Sequence, residues 1–408
     1  MYRMIFGAFA VVLSLGGCAL PLTEGHAPQP AKAILAEGVR CSSSTLSVDT
    51  GFVTGALASC SIDEGNRITV AIEPEDEPPI NCSPWYAFRV ASEPAQDVQL
   101  DLTYGTCGHR YWPKFSHDGV TWEYFHSSDV EISSFAGLDR ARVRFRTDGK
   151  PLFIAGQEIV APVTYASWLS RLEAHPDVSR FELGRSAQGR AIEGIIVGDP
   201  QAREVVVVIG RQHPPEVTGA LALFPFVETI LSDSSEAVEF RKRFKMVIVP
   251  MLNPDGVALG HWRHNTSGVD LNRDWGPFTQ PETRLMRDLF EEIGAETNRK
   301  LRLFLDFHST RYDTIYTLTE EQATDPPGLM DAFIADYQAR LPGYWVQEEP
   351  GHNADSAVAK AWVYERFGVP TATYEIGDET DRELIGKLGN AAAEAMMHVL
   401  LKSDAPAN

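Results

Sequence analysis

Between residues 38 and 157, apolar and polar positions alternate in short runs. The runs 67–72, 85–90, 98–102 and 141–146 are rich in β-branched and aromatic residues, and clusters of Gly, Asp, Asn and Pro separate them. Short strands at this spacing predict an all-β sandwich. Near Pro162 the pattern changes. Residues 164–174 place apolar side chains three and four apart and read as a helix. Strands and helices then alternate. Strands are expected at 192–197, 204–209, 244–250, 301–307, 314–318 and 369–375, and helices at 217–231, 281–296, 328–340, 354–367 and 381–401. The 204–209 run is almost continuously apolar, as in a central strand buried on both faces. The predicted class is α/β: an open, twisted, mainly parallel mixed sheet with helices on both faces, preceded by an all-β sandwich. Such sheets bind ligands at the carboxyl ends of their strands.

The first residues stand apart from this pattern. Residues 1–18 hold one basic residue, Arg3, then an apolar run from Ile5 to Leu15, then Gly16-Gly17-Cys18. This is the form of an export signal, and the run is shorter than the roughly 20 residues a membrane-spanning helix needs. Leu15-Gly16-Gly17-Cys18 resembles a bacterial lipobox, which implies cleavage before Cys18, lipidation of that cysteine, and a body in the periplasm or outside the cell. Residues 19–37 read as a flexible stalk, 38–157 as the sandwich and 162–402 as the second domain.

The formal charge of −20 suits a soluble body and argues against nucleic acid as a partner. Four further cysteines, Cys41, Cys60, Cys82 and Cys107, all precede residue 108. Disulfides persist in an exported protein. Four cysteines allow three pairings, and the shortest loops favour Cys41 with Cys60 and Cys82 with Cys107.

The candidate chemistry gathers at the ends of the inferred parallel strands. His213 and Glu216 are three apart, with Pro214-Pro215 between them, and follow the 204–209 strand. Two prolines exclude the middle of a helix but fit a loop entering one. His308 follows the 301–307 strand, and Glu375 closes the 369–375 strand. Two imidazoles and a carboxylate can hold a zinc ion with one position open for water, and a further carboxylate can take a proton. Asp270, Asn272 and Arg273 lie in a loop beyond the turn signal Asn253-Pro254-Asp255-Gly256. Arg273 offers a fork suited to a carboxylate, Asn272 an amide donor, and Asp270 a partner for a ligating histidine.

Taken in order, His-x-x-Glu, Asn-Pro-Asp-Gly, Gly268-Val269-Asp270-Leu271-Asn272-Arg273, a strand ending in His308-Ser309, and Thr373-Tyr374-Glu375 resemble the zinc metallocarboxypeptidase family. The turn Gly184-Arg185-Ser186-Ala187-Gln188-Gly189-Arg190 adds to the likeness, which covers roughly 162–402. Trp85 to Val90, Pro113 to Trp122 and Trp262-Arg263 resemble the cytosolic-carboxypeptidase-like subgroup, whose eukaryotic members trim glutamate from protein tails. The resemblance implies one Zn²⁺ per chain, held by His213, Glu216 and His308, with Asp270 orienting His213. It implies Glu375 as general base and Arg263 as oxyanion donor. Asn272 and Arg273 would grip the carboxylate of a peptide or protein C-terminus.

Two features depart from the family pattern. The tyrosine usual some twenty residues before the catalytic glutamate is absent from 351–359, with Tyr344, Tyr364 and Tyr312 as possible substitutes. Lys360 falls near the position lining the side-chain pocket, which points to an acidic C-terminal residue; an exposed lysine on the 354–367 helix is the competing reading. Three other functions stand beside carboxypeptidase: a zinc amidase acting on cell-wall peptides or a modified amino acid, an inactive peptide-binding lipoprotein, and a carbohydrate-binding sandwich. The complete ligand and base set speaks against the inactive protein.

Overall fold

The computed structural model describes residues 38–403 except 136, 297 and 298. Residues 1–37, where the sequence leads one to expect an export signal, a lipidated Cys18 and a stalk, lie outside the described residues. No helix among the described residues is long and apolar enough to cross a membrane.

The alternating N-terminal segment forms two sheets, one of six strands and one of five. In Arg67–Ile72 the side chains of Ile68, Val70 and Ile72 are buried while Arg67 stays exposed, the two-residue period of a strand with one face inward. Asp97–Tyr104 pairs with it and turns Val98, Leu100, Leu102 and Tyr104 to the same core. On the outward face Arg142 makes a two-pronged bond to Asp101, at 2.7 and 3.2 Å. Disulfides join Cys41 to Cys60 and Cys82 to Cys107. The first links strand Arg40–Ser42 of one sheet to Ser59–Ile62 of the other.

The remainder contains an eight-stranded mixed sheet whose centre is parallel. Phe244–Val249, Glu204–Gly210, Lys300–Thr310 and Thr371–Gly377 run side by side in that order and in one direction. Alternate residues of Glu204–Gly210 feed different cores. Val206 and Val208 pack with helices Val217–Ile230 and Arg382–Lys402, while Val205, Val207 and Ile209 pack with helix Pro281–Ala295. Each fully buried valine or isoleucine contributes roughly 1.5–3 kcal/mol by area removed from water. Helix Val217–Ile230 sits so close to the sheet that a Cβ on Gly219 would lie 2.4 Å from the carbonyl oxygen of His308.

Several bounds differ from the sequence expectation. Lys300–Thr310 and Thr371–Gly377 run past their expected ends, so His308 lies within its strand rather than just after it, and Glu375 lies inside its strand rather than closing it. The helix that precedes Thr371–Gly377 starts at Ala359, not 354, because Val358 is extended and the Ala359 N–H donates to Asn272 Oδ1 (2.9 Å). Strand Val178–Arg185 and helix Ser235–Arg243 were not anticipated. The strand is a partly exposed sheet edge rich in charge. The helix buries Ala237, Phe240 and Arg241 and is otherwise polar, so neither shows a strong periodic signal.

The sandwich and the mixed sheet share apolar packing. Tyr165, Val217, Ala220 and Trp262 belong to the same buried cluster as Val70 and Phe88. Trp262 Nε1 donates to the Trp85 carbonyl (3.1 Å), and Arg110 holds Asp378 through two bonds of 2.7 and 3.2 Å.

Candidate metal centre

His308 and Glu375 are direct partners across two parallel strands. Paired positions project to the same face of a sheet, so the two side chains stand together. His213 and Glu216 arrive from the loop between strand Glu204–Gly210 and helix Val217–Ile230. Arg211 opens that loop with a φ of 52°. Its buried guanidinium donates to the carbonyls of Pro214 (2.8 Å) and Val160 (3.3 Å) and to the Tyr165 hydroxyl (3.0 Å). These bonds fix the loop where Pro214-Pro215 prevents helix.

The result is a buried cluster of His213, Glu216 and His308 whose ligating atoms lie within 4.8 Å of one another. His213 Nδ1 is 2.8 Å from Glu216 Oε1, and His308 Nδ1 is 2.7 Å from Glu216 Oε2. The two ring nitrogens face each other at 3.1 Å. The opposite nitrogens meet carboxylates: His213 Nε2 is 3.0 Å from Asp270 Oδ1, and His308 Nε2 is 2.8 Å from Asp306 Oδ2. Each imidazole is thereby held in one orientation by its far side. Asp306 was not anticipated in this role. The signal was present, since residues two apart on one strand share a face.

Around the cluster, Arg263 donates to Asp270 Oδ2 (2.9 Å) and reaches Glu216 Oε1 (3.4 Å). Asn272 is buried, and Arg273 is mostly exposed with one bond to the Asn272 carbonyl (2.7 Å). Both line a cavity of about 310 Å³ together with the three cluster residues, Glu375 and Lys360. Lys360 is not on an exposed helix face: it is buried, and its Nζ donates to the carbonyls of Thr317 (2.9 Å) and His352 (2.8 Å). Of the tyrosines considered as substitutes, Tyr312 is half exposed, Tyr344 donates to Asp313 (2.8 Å) and Tyr364 to the Ala323 carbonyl (3.3 Å). The tyrosine among the cavity-lining residues is Tyr316, stacked on His352 at 3.9 Å. The sandwich supplies Asn81, Cys82 and Arg110 to the cavity wall.

The supporting turns also meet. Asp255, wholly buried, accepts from Ser186 Oγ (2.8 Å), the Gln188 N–H (2.7 Å) and Arg190 (2.7 Å). Asn253 caps the adjoining helical turn through the Gly256 N–H and donates to the Gln212 carbonyl (3.1 Å).

Electrostatics separate the two glutamates. Burial would raise Glu216, but the charges and hydrogen bonds of His213 and His308 outweigh it and hold it well below the usual carboxylate range. Burial opposes the charge on His308, yet Asp306 and Glu216 raise it well above an ordinary histidine. Burial, followed by the charge of Glu216, pushes Glu375 up to about 8. Glu375 Oε2 is buried without a hydrogen-bond partner. Two carboxylates so near one another with such different proton affinity divide naturally into a ligand and a proton carrier.

Residues 165–390, more than half of the chain, match the zinc carboxypeptidase family. The chain belongs to that family. The human cytosolic carboxypeptidase 6 is 30% identical over 139 residues, 32% of this chain and 28% of the relative. The chain thus spans under a third of that relative's length. An uncharacterized protein of Zymomonas mobilis is 24% identical over 81% of this chain and 88% of its own. A crystal structure of a metallo-carboxypeptidase from Burkholderia cenocepacia superposes with a TM-score of 0.73 at 21% identity, covering 88% of this chain and 99% of that one. It shares the fold. The donor set fits the family's metal. Two imidazole nitrogens 3.1 Å apart can share at most one proton, whereas a cation between them and Glu216 satisfies all three.

Proposed function

We propose that this zinc carboxypeptidase family member is an exported hydrolase that removes single residues from the C-terminus of peptides or proteins. The observation that carries the reading is the pairing of His308 with Glu375. It sets a buried, partnerless carboxylate oxygen beside a two-histidine, one-glutamate metal cluster.

His213, Glu216 and His308 would hold one Zn²⁺, which when bound would supply Lewis acidity and lower the pKa of water. Asp270 and Asp306 hold the two imidazoles. Arg273 and Asn272 bind the substrate's terminal carboxylate and place the scissile carbonyl in the cleft. Glu375 takes the proton of the attacking water as its oxygen bonds to the carbonyl carbon. The carbonyl oxygen becomes an oxyanion, and Arg263 faces it. Glu375 then returns the proton to the amine as the C–N bond breaks. Burial raises its proton affinity, which suits holding that proton until the amine leaves.

Lys360 favours an acidic C-terminal residue. Although the whole chain carries a charge of −20, the cavity wall is locally basic: Arg110, Arg263, Arg273, Arg311 and Lys360 face Glu216 and Glu375. Residues 1–18 support a lipid anchor at Cys18 in a bacterial envelope.

Cleavage of a peptide ending in glutamate, compared with the same peptide amidated at its C-terminus, tests the carboxylate grip. Release of glutamate from the first alone is expected. Equal cleavage of both contradicts the exopeptidase reading and favours an amidase.

A further inference from the structure

Arg263 sits on a segment with little secondary structure, between the helical turn Pro254–Leu259 and the 3-10 turn Leu271–Arg273. A side chain on such a segment needs its backbone fixed from outside. The fixing group comes from the sandwich. Glu75, in the loop after strand Arg67–Ile72, accepts three consecutive backbone N–H groups. Its Oε2 accepts from Trp262 (2.6 Å), and its Oε1 accepts from Arg263 (2.9 Å) and His264 (2.7 Å). Successive N–H groups turned to one point form an anion-binding concavity, and bonds to an ionised acceptor are the strong ones. The neighbouring Asp76 bonds His264 Nδ1 (2.6 Å), and Trp262 is anchored on the Trp85 carbonyl (3.1 Å).

Glu75, Asp76 and His264 also place three metal-ligating side chains together. The bonds argue against a second metal: both Glu75 oxygens already accept from main chain, and Asp76 is engaged by His264.

We propose that Glu75 is a positioning residue for the oxyanion site, so that the sandwich completes the reaction centre instead of merely flanking it. By clamping the N–H groups of 262–264, Glu75 sets the direction in which the Arg263 side chain leaves the main chain. Arg263 then lies across Asp270 Oδ2 (2.9 Å) and Glu216 Oε1 (3.4 Å), over the metal cluster. The catalytic consequence rests on the carboxypeptidase reading; the clamp does not.

The test uses the full-length, zinc-loaded protein and a peptide ending in glutamate. Glu75→Ala is expected to lower kcat about tenfold or more, a fraction of the 10²–10³ expected for losing the arginine itself, with KM within about twofold. The double variant Glu75→Ala/Arg263→Ala is expected to be no slower than Arg263→Ala, because the clamp acts through that arginine. Glu75→Gln keeps the shape and one acceptor oxygen and is expected to fall between, which covers an alanine variant that fails to fold. Losses that multiply in the double variant, or a rise in KM at constant kcat, overturn the proposal. Hydrogen exchange of the 259–266 amides gives a second readout, expected to quicken in both Glu75 variants; unchanged exchange overturns the clamp. If the wild type cleaves no peptide, the carboxypeptidase reading fails and the exchange result alone decides the clamp.

Discussion

Strands Arg67–Ile72 and Glu204–Gly210 are similar in length, yet they are built differently. The first buries every second side chain, Ile68, Val70 and Ile72. The second buries Val205 through Gly210 without a break. One lines a sandwich with a wet outer face. The other is covered on both sides and ends at the loop that carries His213 and Glu216. The regions are stabilised differently as well. Both disulfides lie in the sandwich, whereas the mixed sheet relies on two apolar cores. The His213–Glu216–His308 cluster and Glu375 gather toward the carboxyl ends of these buried parallel strands. The sandwich contributes from its loops: Arg110 and Cys82 to the cavity wall, and Glu75 to the segment bearing Arg263.

This contrast makes distinct demands on each region. The largest effect is expected in the mixed sheet. Glu375→Gln removes the proposed proton carrier while keeping the shape and should lower kcat by about 10²–10⁴, with zinc still bound at one equivalent by metal analysis. Retained activity would move the base elsewhere. Next, Arg263→Ala should cost about 10²–10³ in kcat, read by steady-state kinetics, with the metal again retained. The sandwich should respond in stability first. Replacing Cys82 and Cys107 by serine opens a loop with a sequence separation of 25 and should cost on the order of 3 kcal/mol in chemical unfolding. The smallest effect concerns Lys360. Burial lowers its pKa to about 8, so its positive charge is present below that pH and lost as the pH rises through it. The proposed preference for C-terminal glutamate over leucine should therefore weaken above pH 8, and Lys360→Met should remove that pH dependence. A preference unaltered by the mutation would assign specificity to another group.

Much of this arrangement was legible because it is local or periodic. The uninterrupted apolar run at 204–209 marked a central strand, and the alternation at 67–72 marked a half-buried one. His213, Glu216, His308 and Glu375 stood out because each falls at the end of a strand pattern. Asp306 is legible from its spacing to His308, since residues two apart on one strand share a face. Lys360 was ambiguous, since its burial depends on where its helix begins, and that start is set by Asn272 far away in sequence. Glu75 left no trace at all. Its partners are main-chain N–H groups 187 or more residues distant, and backbone donors carry no sequence signature.

The measurement that bears most directly on the central claim is mass spectrometry of a peptide library varied at its C-terminal residue. The library is incubated with the zinc-loaded protein and, in parallel, with Glu375→Gln. Loss of single C-terminal residues with the wild type alone, fastest for acidic ones, is the expected result. An intact library with zinc bound at one equivalent would contradict peptide exohydrolysis and point to a specialised amide of the cell envelope.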